Sequence, residues 1–132
     1  EGQYQMTIDA LGVIAEELAR IGIAYEFEEW TSSTIPPVYW VGEFTENETI
    51  NEDGLHESAF TLTGFTHEKW IRLITDKEKI ESLFPPIVER CYGLDNGSRL
   101  AIIFNSSFPV PDNTMDIKKI QINLNIKEWM VK

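Results

Sequence analysis

Cysteine is nearly absent. Cys91 is the single one in 132 residues, so no disulfide can close within the chain and no cysteine zinc cluster can be built from it alone. No apolar run approaches the roughly 20 residues needed to cross a bilayer. The start Glu1-Gly2-Gln3-Tyr4 has neither the basic region nor the apolar core of a secretion signal. A soluble chain is expected, intracellular or carried on a virion. Because the first residue is not Met, residues 1–2 are read as a tag remnant outside the fold. Cations are scarce too: eleven Lys and Arg stand against 22 Asp and Glu, a net charge of −11 with a pI near 4.5. Affinity for nucleic acid comes largely from cations that release counterions, so tight nucleic-acid binding and adhesion to anionic membranes are not expected. The chain also lacks a Gly-rich phosphate loop, a nucleophile elbow, HExxH, an EF-hand loop and CxxC. No catalytic residue, cofactor or metal ligand is assigned, and an enzyme is not expected.

What is present suffices for one core. The composition is 42% hydrophobic and 11% aromatic, and 132 residues suit a single domain, since domains cluster at roughly 100 to 150 residues. From Thr7 to Ile21, the positions Ile8, Leu11, Ile14, Ala15, Leu18 and Ile21 recur at helical steps, with Gly22 able to take the left-handed stop conformation. From Ala24 to Trp30, Tyr25 and Phe27 alternate with Ala24, Glu26 and Glu28 as on a half-buried first strand, and Thr31 to Ile35 reads as a loop. Pro36-Pro37 opens a second strand, Val38 to Phe44. The acidic stretch 45–55, turning at Asp53-Gly54, predicts a mobile loop, and His56 to Phe65 returns antiparallel. Thr75-Asp76-Lys77-Glu78 carries a capping pattern for a helix through Phe84, and Trp70–Ile74 before it reads as either a helical turn or the tail of a strand. Pro85-Pro86 breaks that helix, and a further turn is expected from Pro86 to Tyr92. Arg99 to Phe104 and Ile117 to Met130 read as strands, with the Pro109- and Pro111-containing segment as their connection. The expected fold is α+β: an antiparallel sheet of four to five strands with two helices packed on one face.

Three features invite a site. His56 and His67 flank one strand and read as surface residues rather than a metal pair. Glu46, Glu48, Glu52, Asp53 and Glu57 make 45–57 the most acidic part of the chain, but without the spacing of a calcium cage. Cys91 reads as a small core residue. Of the four tryptophans, Trp30, Trp40, Trp70 and Trp129, most should be core, whereas Trp30 and Trp129 lie at strand ends beside polar residues, where such rings serve subunit contacts. The candidate interface is therefore Trp30, Trp129, Glu46, Glu48, Glu52 and Asp53, with the hairpin from Tyr39 to Phe65 as the contact element.

The stretch Glu57-Ser58-Ala59-Phe60-Thr61-Leu62-Thr63-Gly64-Phe65-Thr66, followed by Trp70, Leu73 and Asp76-Lys77-Glu78-Lys79-Ile80-Glu81, resembles small tail-completion or minor tail proteins of siphophages and Gram-positive prophages. So does the wider pattern from Thr7 to Phe84: an amphipathic first helix ending in Gly22-Ile23, then Pro36-Pro37 leading into an aromatic strand. The resemblance implies a structural subunit that assembles into a ring, often a hexamer, capping the tail tube or joining it to the head connector, as a tail terminator or head-tail joining protein. Its partners would be tail-tube and head-connector proteins, and its place the virion tail or the host cytoplasm during assembly. A negative lining would let DNA slide through such a ring. The alternatives are a monomeric acidic binding protein, such as a toxin-neutralising immunity protein steered to a basic partner, and an enzyme built on carboxylates such as Glu26 and Glu28.

Overall fold

The computed structural model describes residues 2–50, 55–85, 90–93, 99–110 and 116–129. In chain order they form helix α1 (Gly2–Arg20), strands β1 (Tyr25–Phe27), β2 (Val38–Ile50) and β3 (Leu55–Thr66), helix α2 (Trp70–Leu83), and strands β4 (Arg90–Gly93), β5 (Arg99–Val110) and β6 (Lys118–Trp129). The strands make one six-stranded sheet in the order β1-β2-β3-β6-β5-β4.

β3 and β6 form its centre, antiparallel and without a register shift from Leu55 opposite Trp129 to Thr66 opposite Lys118. Because strand side chains alternate, this register puts Phe60, Leu62, Ile120, Ile122, Leu124 and Ile126 on one face, where all are buried. Trp40 of β2 and Ile102 and Phe104 of β5 extend the same row. Against it pack Ala10, Ile14 and Leu18 of α1 and Leu73, Ile80 and Leu83 of α2, so sheet and helices share one buried cluster. Trp40 donates its indole N–H to the Asp76 carboxylate of α2 at 3.2 Å. Its ring covers Gly64, where an added Cβ would lie 2.7 Å from the indole.

α1 stops for the expected reason. Gly22 takes φ 79°, its N–H reaches Ala19 O at 3.1 Å, and the N–H of Ile23 reaches Leu18 O at 2.9 Å. That pair of bonds satisfies the last carbonyls, while Leu18 and Ile23 are both buried in the core. The helix starts at Gly2, so residue 2 belongs to the fold and Asp9 lies beyond the first turn. α1 packs on β1, and Glu17 at its end accepts a hydrogen bond from the Tyr92 hydroxyl of β4 at 2.9 Å. Since β1 and β4 are opposite edges of the sheet, one helix touching both requires the sheet to curl. Register shifts in β2, between Phe44 and Glu46 and between Glu46 and Thr49, and in β5, between Phe104 and Ser106, supply the bend.

The expected antiparallel sheet of four to five strands is thereby corrected to a six-stranded, mixed, curled sheet, a half-barrel. Among the described residues the six strands outweigh the two helices, so the sheet dominates the architecture. β1 is parallel to β2, with Tyr25 opposite Trp40 and Phe27 opposite Gly42. The 28–37 link carries the chain back along β1 because it is stapled to it. Glu28 turns at φ 68°. The Glu26 carboxylate accepts hydrogen bonds from the Thr31 N–H at 2.9 Å, the Thr31 hydroxyl at 2.8 Å, and the Ser32 hydroxyl. β4 adds the sixth strand at Arg90–Gly93, where a helical turn was expected. Pairing with β5 from Ile102 to Arg99 satisfies more backbone than a single turn could, since one turn bears the whole nucleation cost of a helix. Residues 86–89 of that expected turn lie outside the described residues.

Other boundaries move for related reasons. The acidic segment read as loop over 45–55 is strand through Ile50 and again from Leu55, because Glu46, Thr49 and Ile50 find partners in Ala59, Glu57 and His56. Residues 51–54 lie outside the described residues. Pro109 falls within β5, opposite Ile120. β4 ends its pairing at Ile102, so Pro109 occupies an edge position, where a missing N–H is tolerated. α2 begins at Trp70 instead of Thr75, whose hydroxyl donates back to Ile71 O at 2.7 Å inside the helix.

Two expectations follow from this packing. Gly64→Ala should cost about 1 to 3 kcal/mol in urea unfolding, because Trp40, buried and tied to Asp76, cannot yield to the new methyl group. An unchanged midpoint would show that the indole moves freely. The Tyr25 hydroxyl is buried without a hydrogen-bond partner among the described residues, and burial pushes its pKa up to about 12. A raised folded pKa means that the stability linked to this group is complete below the unfolded value of 10.0 and lost as pH rises toward about 12. Tyr25→Phe should hold or raise the urea midpoint near neutral pH and abolish that alkaline loss. A lowered midpoint would reveal a bond that the hydroxyl makes.

Candidate functional site: an apolar groove with a cationic rim

β3 ends in a turn that aims α2 across one end of the sheet. The Thr66 hydroxyl donates to Pro37 O at 2.8 Å and accepts the Glu68 N–H at 3.0 Å, fixing the turn from both sides. α2 then buries Leu73, Ile80 and Leu83. At 100° per residue, Trp70, Ile74 and Ile71 fall progressively farther round the helix from Leu73. Of the large hydrophobic side chains that are exposed among the described residues, four gather here: Trp70 (39% exposed), Ile71 (60%), Ile74 (38%) and Phe108 (45%). The fifth, Ile35, lies in the link before β2.

A groove of about 420 Å³ runs between α2 and the outer half of β5. Its walls are Trp70, Ile74 and Lys77 on one side and Ser107, Phe108, Pro109 and Ile120 on the other. The register shift after Phe104 sets the β5 wall, since it brings Ser107 and Pro109 opposite Ile122 and Ile120. On the other side of Trp70, a second depression of about 600 Å³ is lined by His67, Glu68, Lys69, Ile71, Arg72 and Lys118. Four cations, Lys69, Arg72, Lys77 and Lys118, thus rim an apolar floor against one carboxylate, Glu68. Arg72 pairs with Glu68 at 3.2 Å and Lys77 with Glu81 at 3.8 Å. Both pairs are partly solvated and weak enough to exchange partners. Contiguous exposed apolar surface of this kind marks an interaction site.

The sequence-derived candidates do not converge on this surface. Trp30 lies on the opposite face of the sheet, its ring centroid 5.2 Å from that of Tyr39, which stacks on Phe65 at 5.0 Å. Its indole N–H donates to Thr34 O at 3.2 Å, so it braces the 28–37 link. Trp129 closes β6 opposite Leu55 and Arg99, about 33 Å along the strand from the Lys119 beside Phe65. Glu46 and Glu48 are in β2, toward the same end of the sheet as Trp129. Glu52 and Asp53 lie outside the described residues. His56 and His67 are at opposite ends of β3, and His67 Nδ1 is 3.0 Å from Asp116 O. Among the described residues, no three of His, Cys, Asp and Glu gather as a metal cage. Glu26 serves the link: hydrogen bonds from Ser32 and then Thr31 hold its carboxyl below the usual glutamate range.

Sequence reasoning missed Trp70, Ile71, Ile74 and Phe108. The available signal was an apolar arc too wide for one buried stripe, since four of the five residues Trp70-Ile71-Arg72-Leu73-Ile74 are apolar and only Leu73 is buried. No helix among the described residues is long and apolar enough to cross a membrane. Scanned against protein-family models and characterised proteins, the chain matches no family and no relative.

The surface and core faces of α2 should separate cleanly. Trp70→Ser is expected to change unfolding free energy by less than about 1 kcal/mol, and Leu73→Ala to cost about 2 to 5 kcal/mol, both read from urea midpoints. Equal losses would place Trp70 in the core.

Proposed function

We propose that this chain is a structural subunit that associates with copies of itself into a ring, and that it completes a siphophage-like tail or joins it to the head. The observation that carries this reading is the surface around Trp70, where exposed aromatic and aliphatic side chains sit beside cations in a chain of net charge −11. Contiguous exposed apolar surface of this kind marks an interaction site, and contact with another protein surface is one of its uses. The resemblance of Thr7–Phe84 to tail-completion proteins supplies the kind of assembly. The acidic balance suits a passage through which DNA must move without being held. Further contacts would be with tail-tube and head-connector proteins, and six copies is the number that the resemblance suggests.

Light scattering on a sizing column, with negative-stain images of the same fractions, tests this directly. Ring-shaped particles of a uniform subunit number are expected as protein concentration rises at low salt. A strict monomer at every concentration and salt, or a monomer that binds a basic toxin tightly, would overturn the ring.

A further inference from the structure

We propose that the surface around Trp70 packs against the same surface of a second copy of this chain across a two-fold axis, each copy's Trp70 entering the other's groove between α2 and β5. This contact rests on the reading above only in taking a copy of the chain as the partner, and it adds the symmetry of their meeting.

Charge selects the partner. Residues 67–84 and 116–119, which are α2, the turn before it and the entry to β6, hold six Lys and Arg and five Asp and Glu. The other seventeen carboxylates of the chain share five cations. Two chains of net charge −11 therefore repel each other over most of their surfaces and least at this balanced one. A strongly basic or acidic partner would gain little there, because the patch presents both signs in near equality. A second copy presents the same mixture. Arg72 pairs with Glu68 at 3.2 Å and Lys77 with Glu81 at 3.8 Å, each pair partly solvated, so these groups can exchange partners across a contact without a charge being left alone.

Area agrees with a pair of copies. At their fractional exposures, Trp70, Ile71, Ile74 and Phe108 leave on the order of 350 Å² of apolar surface open. A standard contact buries about 800 Å² per partner, somewhat over half of it apolar. The patch thus supplies most of the apolar centre of one such contact, and the alkyl stems of Lys69, Arg72 and Lys77 extend it.

Shape makes the contact reciprocal. Trp70 lines the groove of about 420 Å³ on one side and the depression of about 600 Å³ on the other, so its ring is a ridge with a hollow beside it. A two-fold rotation brings each ridge to the other copy's hollow, as an isologous contact requires. The surface is held in place from beneath, since Leu73 and Ile80 fix α2 in the core and Trp40 donates to Asp76 at 3.2 Å. Rings built from such pairs through a second contact contain an even number of copies.

The test uses the whole chain, with size read by light scattering and folding by circular dichroism. Pairs are expected on dilution of any larger assembly, and Trp70→Ser should raise their dissociation constant by about tenfold or more while the spectrum stays that of the parent. Symmetry is read by cross-linking in a Cys91→Ala background. At a concentration where the parent pairs, a short bismaleimide should join Ile74→Cys to the same position of the other copy, because residues near a two-fold axis meet their own counterparts. Thr63→Cys, on the opposite face of the sheet, should not be joined. Pairing of folded Trp70→Ser at the parent's level, or the absence of the position-74 link where parent-sized assemblies form, would overturn this contact and leave the ring standing. A parent that stops at pairs at every concentration and salt would keep this contact and overturn the ring, and a strict monomer would overturn both.

Discussion

The twelve residue pairs that join β3 to β6 in a single unshifted register are the constraint from which the other contacts follow. Every second pair faces the core, so the register decides at once which residues of both strands are buried. It sets Gly64 opposite Ile120 on one side and Trp40 on the other. The missing side chain at Gly64 makes room for the Trp40 indole, and that indole binds Asp76. Helix α2 is thereby located by the central ladder, and Trp70 with it. The groove inherits its position from strand pairing more than from any feature of its own sequence.

The edges of the sheet are fastened by different means. β1 is only three residues long and would contribute little alone. It is kept by the carboxylate of Glu26, which ties down the link that follows, and by α1 lying against it. At the far edge, β4 is tied to the same helix through Tyr92 and Glu17. A sheet with both edges fastened to one helix cannot lie flat, and the shifts in β2 and β5 absorb the curvature. The shift in β5 has a second effect, because the strand beyond it becomes the outer wall of the groove.

Curvature and charge together give the molecule two unlike ends. The cations are concentrated where β3 turns into α2 and where β6 begins, whereas the β1–β3 half carries none. The net charge of −11 describes what a distant ion meets. The local pattern describes what a group at the surface meets.

The first helix and its stop at Gly22, the strands around Trp40, Leu62 and Leu124, and the end of α2 before Pro85 were legible in the sequence, because each depends on spacing or backbone chemistry within a few residues. Helical steps bury one stripe, alternation buries one face, glycine accepts a positive φ, and proline ends a helix wherever it occurs. The parallel placement of β1, the pairing of β4 with β5 and the inclusion of Pro109 in a strand were decided only in the tertiary structure. Each is settled by a backbone ladder or a staple offered from a distant segment: Gly42 to Phe27, Ile102 to Arg90, Ile120 to Pro109. The same division explains the tryptophans. All four look alike as large amphipathic rings, yet Trp40 is buried because Gly64 lies beneath it, and Trp70 is exposed because Leu73 already holds the core side of its helix. For Trp40 the cover comes from Gly64 and Asp76, tens of residues away, and local pattern carries no record of them.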